Sequence, residues 1–206
     1  MLTAGLTALG LLALAPRLPR LARRYDGAAL APIEEGGHAE PTDPRLLQRL
    51  DAWVAEGAGH GATWLPWSRP AMPVPLAIAF TPARNAPVVR RFGYHLAGYH
   101  QLTRRSGVGG ILYRLGVQLR PLAWFLRRRP DEPWDDAWLT DVDAARLAAL
   151  GRWLPRRPTL IVLEGRAAAS AGPVARALDH AAKNGDQPVR LLILGPGPAA
   201  PGATQL

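Results

Sequence analysis

The chain has 206 residues, no cysteine and a formal net charge of +9, from 25 lysines and arginines against 16 aspartates and glutamates. The lack of thiols excludes disulfides, thiolate metal sites and cysteine nucleophiles. This length favours one compact domain. Because Lys183 is the only lysine, the arginine excess is typical of a GC-rich bacterial composition, and its size alone is a weak argument for nucleic-acid binding.

The first 24 residues combine an apolar run with a basic flank. The first fifteen residues are uncharged, as is Pro16, and four arginines follow within residues 17–24. A secretory signal carries its positive charge before the apolar run, whereas positive flanks of membrane helices stay cytoplasmic. Fifteen helical residues reach only about 22 Å, against a hydrocarbon core of about 30 Å. We predict an N-terminal apolar helix that acts as a membrane anchor over 1–24, with a buried core helix and a processed targeting peptide as alternatives.

The remaining chain divides by composition. Residues 25–42 are predicted to be a linker, because 30–42 is rich in Gly, Pro and acidic residues and has no periodicity. A single α/β domain is predicted over 43–195, followed by a Pro/Gly-rich flexible tail over 196–206. Its first helix begins at the N-cap Asp43 with Pro44 in the first turn and ends at Gly57.

Short apolar runs then alternate with helical patterns. The runs 74–80, 159–165 and 188–195 are typical of strands covered on both faces. Helices are predicted after Asn85, from the box formed by Thr140 and Asp143, and between Ser170 and Gly185. This alternation predicts a small, mostly parallel sheet flanked by helices. Residues 111–126 fit a helix or a strand.

Two loops qualify by position for ligand binding, since ligands of open α/β sheets bind beyond the carboxyl ends of strands. The loops are 81–86 and 164–172. If their strands are neighbours, they bring together an arginine for a phosphate or carboxylate and a candidate base. The candidate ligand-binding residues are Thr81, Arg84, Asn85, Glu164, Arg166 and Ser170. The alternative is structural, with Asn85 and Ser170 as helix caps and the arginines as solvated charges.

No metal, cofactor or catalytic residue is predicted. His95 and His100 are five residues apart, so about 140° would separate them around a regular helix. The acidic residues Asp131, Glu132, Asp135 and Asp136 are interpreted as a solvated loop. The two candidate ligand-binding loops, 81–86 and 164–172, lack the glycines and lysine of a phosphate-binding loop.

A stretch of arginines and aromatic residues forms a second candidate surface. An interfacial membrane segment, a protein partner or RNA would each use this mixture, and a core with a solvated arginine rim is the structural alternative. The residues of this surface are Arg114, Arg120, Trp124, Phe125, Arg127, Arg128 and Arg129.

These patterns predict a membrane-associated accessory or interaction subunit of a larger bacterial assembly, with its folded domain on the cytoplasmic side of the inner membrane. Protein subunits and the membrane are the expected partners, and anionic lipid is a possible ligand. A small-ligand binder or enzyme using the two loops is the alternative, and a basic RNA-binding protein is the third. No reaction is assigned.

Overall fold

A computed structural model describes residues 25–32, 43–56, 76–100, 109–110, 113, 133–185, 187–196 and 202–206. The predicted anchor, residues 1–24, lies outside this part of the chain, as does almost all of the ambiguous stretch 111–126. Within the described ranges, no helix is long and apolar enough to cross a bilayer.

The centre of the fold is a parallel sheet, as the alternating pattern predicts. It has five strands in the order β2-β3-β4-β1-β5, and every strand pair is parallel. Every residue of β2, β3 and β4 is buried, as expected for strands covered on both faces. The strands are β1 (Ala77–Thr81), β2 (Asp135–Leu139), β3 (Thr159–Leu163), β4 (Val189–Leu194) and β5 (Thr204–Gln205).

Helices cover both faces of the sheet. They are α1 (Pro44–Ala55), α2 (Ala86–Leu96) after a 3₁₀ turn (Ala83–Asn85), α3 (Ala144–Leu150), α4 (Arg166–Ala169) and α5 (Ala171–Asn184). Apolar residues of α1 and α2 pack with Leu160 and Val162 of β3. Those of α3 and α5 pack with Ile161 and Leu163, which point to the other face. The α/β fold class is therefore confirmed.

Two helices begin at an aspartate that acts as the N-cap. For α1 this is the predicted cap, whereas for α3 the predicted box began at Thr140 and the N-cap is Asp143. The carboxylate of Asp43 accepts the N–H groups of Arg45 and Leu46 at 3.0 and 3.2 Å. That of Asp143 accepts the Arg146 N–H at 2.7 Å. Both side chains satisfy amide groups that have no partner within the helix.

The second strand was not predicted, and the interpretation of Asp135 and Asp136 as a solvated loop is wrong for these two residues. They form the start of β2, with relative exposures of only 8% and 7%. Burial of Asp135 is possible because Arg156 donates to both of its oxygens, at 2.7 and 3.0 Å. The ion pair with Arg156 compensates the buried charge of Asp135, so that a strand can begin with two aspartates.

Part of the predicted linker belongs to the fold. Ala29 and Leu30 are buried in the core, and the Trp138 N–H donates to the carbonyl of Ala31 at 2.8 Å. The Tyr25 hydroxyl donates to the backbone carbonyl of Asp136 at 2.9 Å. Residues 25–31 therefore run along the outer edge of β2, and we call them the N-terminal strap.

The end of the predicted tail is also ordered against the sheet. Residues 204–205 form β5 and pair with Ala79 and Phe80 of β1. Leu206 is only 8% exposed and donates its N–H to the Phe80 carbonyl at 3.0 Å. The chain end thus covers the β1 edge of the sheet, which would otherwise expose unpaired backbone groups.

Candidate ligand-binding site

The two loops predicted to bind a ligand lie at the same edge of the sheet but not on neighbouring strands. The condition under which all six residues would line one edge, that the two strands be neighbours, is not met, because β4 lies between β1 and β3. At a strand spacing of about 4.8 Å, the two loops begin about 10 Å apart. The end of β4, at Gly195, lies between them, and its N–H donates to the Thr81 carbonyl at 3.0 Å.

These loops leave the sheet in opposite directions. After β1 the chain enters the 3₁₀ turn and α2, on the face that α1 also covers. After β3 it enters α4 and α5, on the opposite face. Divergent connections of this kind open a crevice at the carboxyl edge of an α/β sheet, and ligands of such folds bind there.

Glu164, directly after β3, is held by two residues that sequence reasoning missed. Its Oε2 accepts the Trp138 indole N–H at 2.8 Å and a weaker bond from Arg90 at 3.4 Å. The Arg90 guanidinium also lies 5.0 Å from the centre of the Trp138 ring, a cation–π distance. Glu164 is thus a positioned carboxylate with one oxygen engaged.

Thr81 and Asn85 lie at the end of β1, on the other side of the β4 end from Glu164. Thr81 is fully buried, and the Asn85 side-chain amide donates to its hydroxyl at 2.8 Å. Although Asn85 occupies the N-cap position of α2, its side chain makes no capping bond. The predicted capping role of this side chain is therefore wrong, because the amide closes the loop onto β1.

The other three predicted residues are placed differently. Arg84 is exposed in the 3₁₀ turn and has no ion-pair partner in the described part of the chain. Arg166 pairs with Asp141 at 3.0 Å, although both side chains are mostly exposed. Ser170 lies between α4 and α5, at the far end of α4 from Glu164, and its side chain makes no capping bond.

Trp138 and Arg90 could not be predicted as site residues from the sequence around them. Trp138 and Arg90 are 26 and 74 residues from Glu164 in sequence. Only the placement of α2 beside the ends of β2 and β3 brings the three together. A sequence pattern could identify each as a core or surface residue but not as a neighbour of Glu164.

The two histidines lie closer together than the helical spacing predicted. The rings of His95 and His100 lie 4.8 Å apart between centroids, although regular helical spacing would separate them by about 140°. The regular helix ends at Leu96, and Gly98 has a φ of 78°, which turns the chain back. Among the described residues, no group of three or more potential ligands could hold a metal ion.

The amino end of β2 holds a second group of ionisable side chains. Asp136 has one carboxylate oxygen that is buried without a hydrogen-bond partner. Burial, with a smaller contribution from Asp135, raises the pKa of Asp136 to about 7. Burial likewise raises the pKa of Tyr25, and the hydrogen bonds from Arg156 to Asp135 raise that of Arg156.

The second candidate surface, the arginine and aromatic residues within 114–129, lies outside the described residues. Comparison with protein-family models, curated proteins and solved structures finds no match for this chain. The proposals for its function therefore depend on its own residues.

Proposed function

We propose that the carboxyl edge of the sheet binds a small anionic ligand, carrying a phosphate or carboxylate, between the loops 81–86 and 164–172. The observation that carries this proposal is the divergence of these loops to opposite faces, with only the end of β4 between them. Because the two loops begin about 10 Å apart, a ligand that contacts both must be a small molecule rather than a single ion.

The charges around this crevice favour an anion. Arg84, Arg90 and Arg166 all lie on the elements that follow β1 and β3. Glu164 and Asp141 compensate two of them, whereas Arg84 has no carboxylate partner among the described residues. Arg84 also lies at the start of the 3₁₀ turn and α2, where backbone N–H groups attract negative charge.

The backbone of this loop does not resemble a phosphate-binding loop. Residues 82–85 are Pro, Ala, Arg and Asn, without glycine or lysine. An anion would therefore be held mainly by side chains, with Arg84 as its principal contact. Glu164 would lie beside the ligand, oriented by Trp138 and Arg90, and no reaction is assigned to it.

Pyrophosphate is a suitable probe, because two phosphate groups can contact both sides of the crevice. We expect isothermal titration at low salt to show saturable binding that weakens at least tenfold in Arg84→Gln, since a charge-assisted hydrogen bond is lost. Arg152→Gln, an exposed arginine after α3, is the matched control. Equal loss in both variants would mean non-specific attraction to a basic protein and would contradict the proposal.

We also propose, as a second function, that the chain is an accessory or interaction subunit held at the cytoplasmic membrane by residues 1–24. The uncharged run and the arginines after it support this. The hydrogen bond of Tyr25 to β2 also supports this proposal. Because Tyr25 directly follows the basic flank, an anchor over 1–24 would hold the folded domain close to the membrane. The full-length protein is expected to sediment with membranes and to keep its N-terminus; an intact mass that begins near Pro16 would contradict this.

The arginine and aromatic stretch gives this second function its own test. A fragment that begins at Tyr25 should bind vesicles with anionic lipid, more weakly as salt rises, and neutral vesicles poorly. Changing Trp124 and Phe125 to Ala should reduce the binding that persists at high salt. Stronger binding to single-stranded RNA than to vesicles would favour the nucleic-acid alternative.

A further inference from the structure

A short repeat lies at the end of α2. The tripeptide Gly-Tyr-His occurs at residues 93–95 and again at residues 98–100. In the folded chain the matching rings of the two copies meet. The two tyrosine rings stack with centroids 5.8 Å apart, and the two histidine rings lie 4.8 Å apart. The repeat therefore builds one pair of phenols and, beside it, one pair of imidazoles.

The turn between the two copies requires Gly98. Its φ is 78°, and its N–H donates to the His95 carbonyl at 3.0 Å. A Cβ at this position would lie 2.7 Å from the Tyr113 hydroxyl and 3.2 Å from the Cβ of Pro133. Both the backbone conformation and the space therefore demand a glycine. This turn, which a continuous helix would lack, brings His100 back beside His95.

One ring nitrogen of the imidazole pair is buried without a partner. In the described part of the chain no hydrogen bond reaches the Nδ1 atom of His100, which is shielded from solvent. Removing a polar atom from water without a new partner costs free energy. His95 is exposed, so the pair is accessible from solvent. Because an imidazole has two nitrogens, one can bind a metal ion while the other keeps a hydrogen bond.

The distance between the two histidine rings fits two ligands of one metal ion. Imidazole is the commonest metal ligand in proteins and suits zinc, copper and nickel. Two imidazoles that share a tetrahedral Zn²⁺, with Zn–N bonds of about 2.1 Å, have ring centroids about 5 Å apart. The observed separation of 4.8 Å is close to this value, and the ring planes are tilted by 37° rather than parallel.

A carboxylate near the pair favours a cation there. Partial burial raises the pKa of Asp51 on α1, and the charge of His95 opposes this shift, which places the two side chains within electrostatic range of each other. Asp51 is not a third ligand, because no three potential ligands among the described residues meet around one ion. Two protein ligands leave two positions of a tetrahedral ion for water.

We propose that His95 and His100 bind one divalent transition-metal ion between their rings, with water completing its coordination. The turn at Gly98 holds the two rings together before the ion arrives, so little conformational freedom is lost on binding. The site lies at the opposite end of α2 from Asn85, about 16 Å along the helix axis. It is therefore independent of the anion site proposed at the carboxyl edge of the sheet.

Isothermal titration of the untagged full chain with Zn²⁺ tests this site. We expect saturable binding that weakens at least tenfold in both His95→Gln and His100→Gln, because each removes one of the two ligands. His180→Gln, on the exposed part of α5, is the matched control and should bind as wild type. Mg²⁺ should not bind, since it prefers oxygen ligands. No saturable binding of Zn²⁺, or an equal loss in His180→Gln, would overturn the proposal.

A measurement on the wild type keeps the test decisive even where a variant folds poorly. With ¹⁵N-labelled histidine, Zn²⁺ should shift the ring nitrogen signals of His95 and His100 over the same range of concentration, because one ion binds both rings. The His180 signals should not follow this change. A shift of only one of the two rings, or of neither, would contradict a shared ion.

Discussion

At the scale of single residues, the unusual feature is the burial of charge in the sheet. Asp135, Asp136 and Arg190 are all less than 9% exposed. Asp135 has a full ionic partner, whereas Arg190 donates to the backbone carbonyls of Glu56 and Val189, and burial lowers its pKa. The free-energy cost of burying each charge differs, because each has different hydrogen-bond and ion-pair partners.

Asp136 should make the stability of the protein fall as pH rises. Its folded pKa of about 7 lies above the value of 3.8 for an exposed aspartate, so the folded state binds the proton more tightly. This stabilisation is complete below pH 3.8 and is lost as pH rises through 7. Between pH 5 and 7.5 the loss is about 3 kcal/mol at 1.36 kcal/mol per pH unit.

Urea unfolding of the wild type and Asp136→Asn at both pH values measures this contribution. The variant should be the more stable protein at pH 7.5, with a flatter dependence on pH. A difference between the two proteins that is the same at pH 5 and pH 7.5 would mean that Asp136 titrates normally.

The ion pair between Arg156 and Asp135 should be essential for β2. Replacing Arg156 with Met keeps most of the side-chain volume but leaves a buried carboxylate at 8% exposure without its two hydrogen bonds. We expect a loss of about 3–5 kcal/mol in unfolding free energy at neutral pH. Arg152→Met is the control, and a loss below about 1 kcal/mol in Arg156→Met would show that solvent reaches Asp135.

At the scale of elements, some strands and helices are specified by residues close in sequence, whereas others depend on residues far away in the chain. β3 and β4 are continuous apolar runs, and α1 and α3 begin at aspartates that bond their first amides. Such elements could be predicted, with bounds correct to within a few residues. β2 could not, because a strand that begins with two aspartates depends on Arg156 and Tyr25, which lie 21 and 111 residues away from their partners.

The cap of α3 gives a test at this scale. Asp143→Ala removes the bond to the Arg146 N–H and should cost about 1 kcal/mol. Asp141→Ala, in the same loop but outside the cap, should cost less than half of that, because its pair with Arg166 is exposed. Equal losses in chemical denaturation would mean that the cap contributes nothing specific.

At the scale of the whole molecule, both edges of the sheet are closed by chain that lies outside the predicted domain. The strap contributes Ala29 and Leu30 to the core at one edge, and Leu206 is buried at the other. The folded unit is therefore larger than residues 43–195. Closing both edges leaves fewer unpaired backbone groups available for association with other chains.

Truncation separates the strap from the segment before it. A chain that begins at Tyr25 should unfold cooperatively with near-native stability, whereas one that begins at Pro32 should lose several kcal/mol, because two fully buried side chains are removed. Thermal unfolding of the two fragments measures the difference. Similar melting temperatures would mean that the strap adds little to the core.

The sequence by itself determined the fold class, three of the five strands and the cap that starts α1, because these features depend on residues within one turn or one strand. It also located the two loops at the carboxyl edge of the sheet. Only the tertiary structure decided that β4 separates those loops, that Trp138 and Arg90 hold Glu164, and that Asp135 and Asp136 are buried at the start of β2. Strand order and long-range pairing are set by how whole elements pack, and no local spacing of residues encodes them.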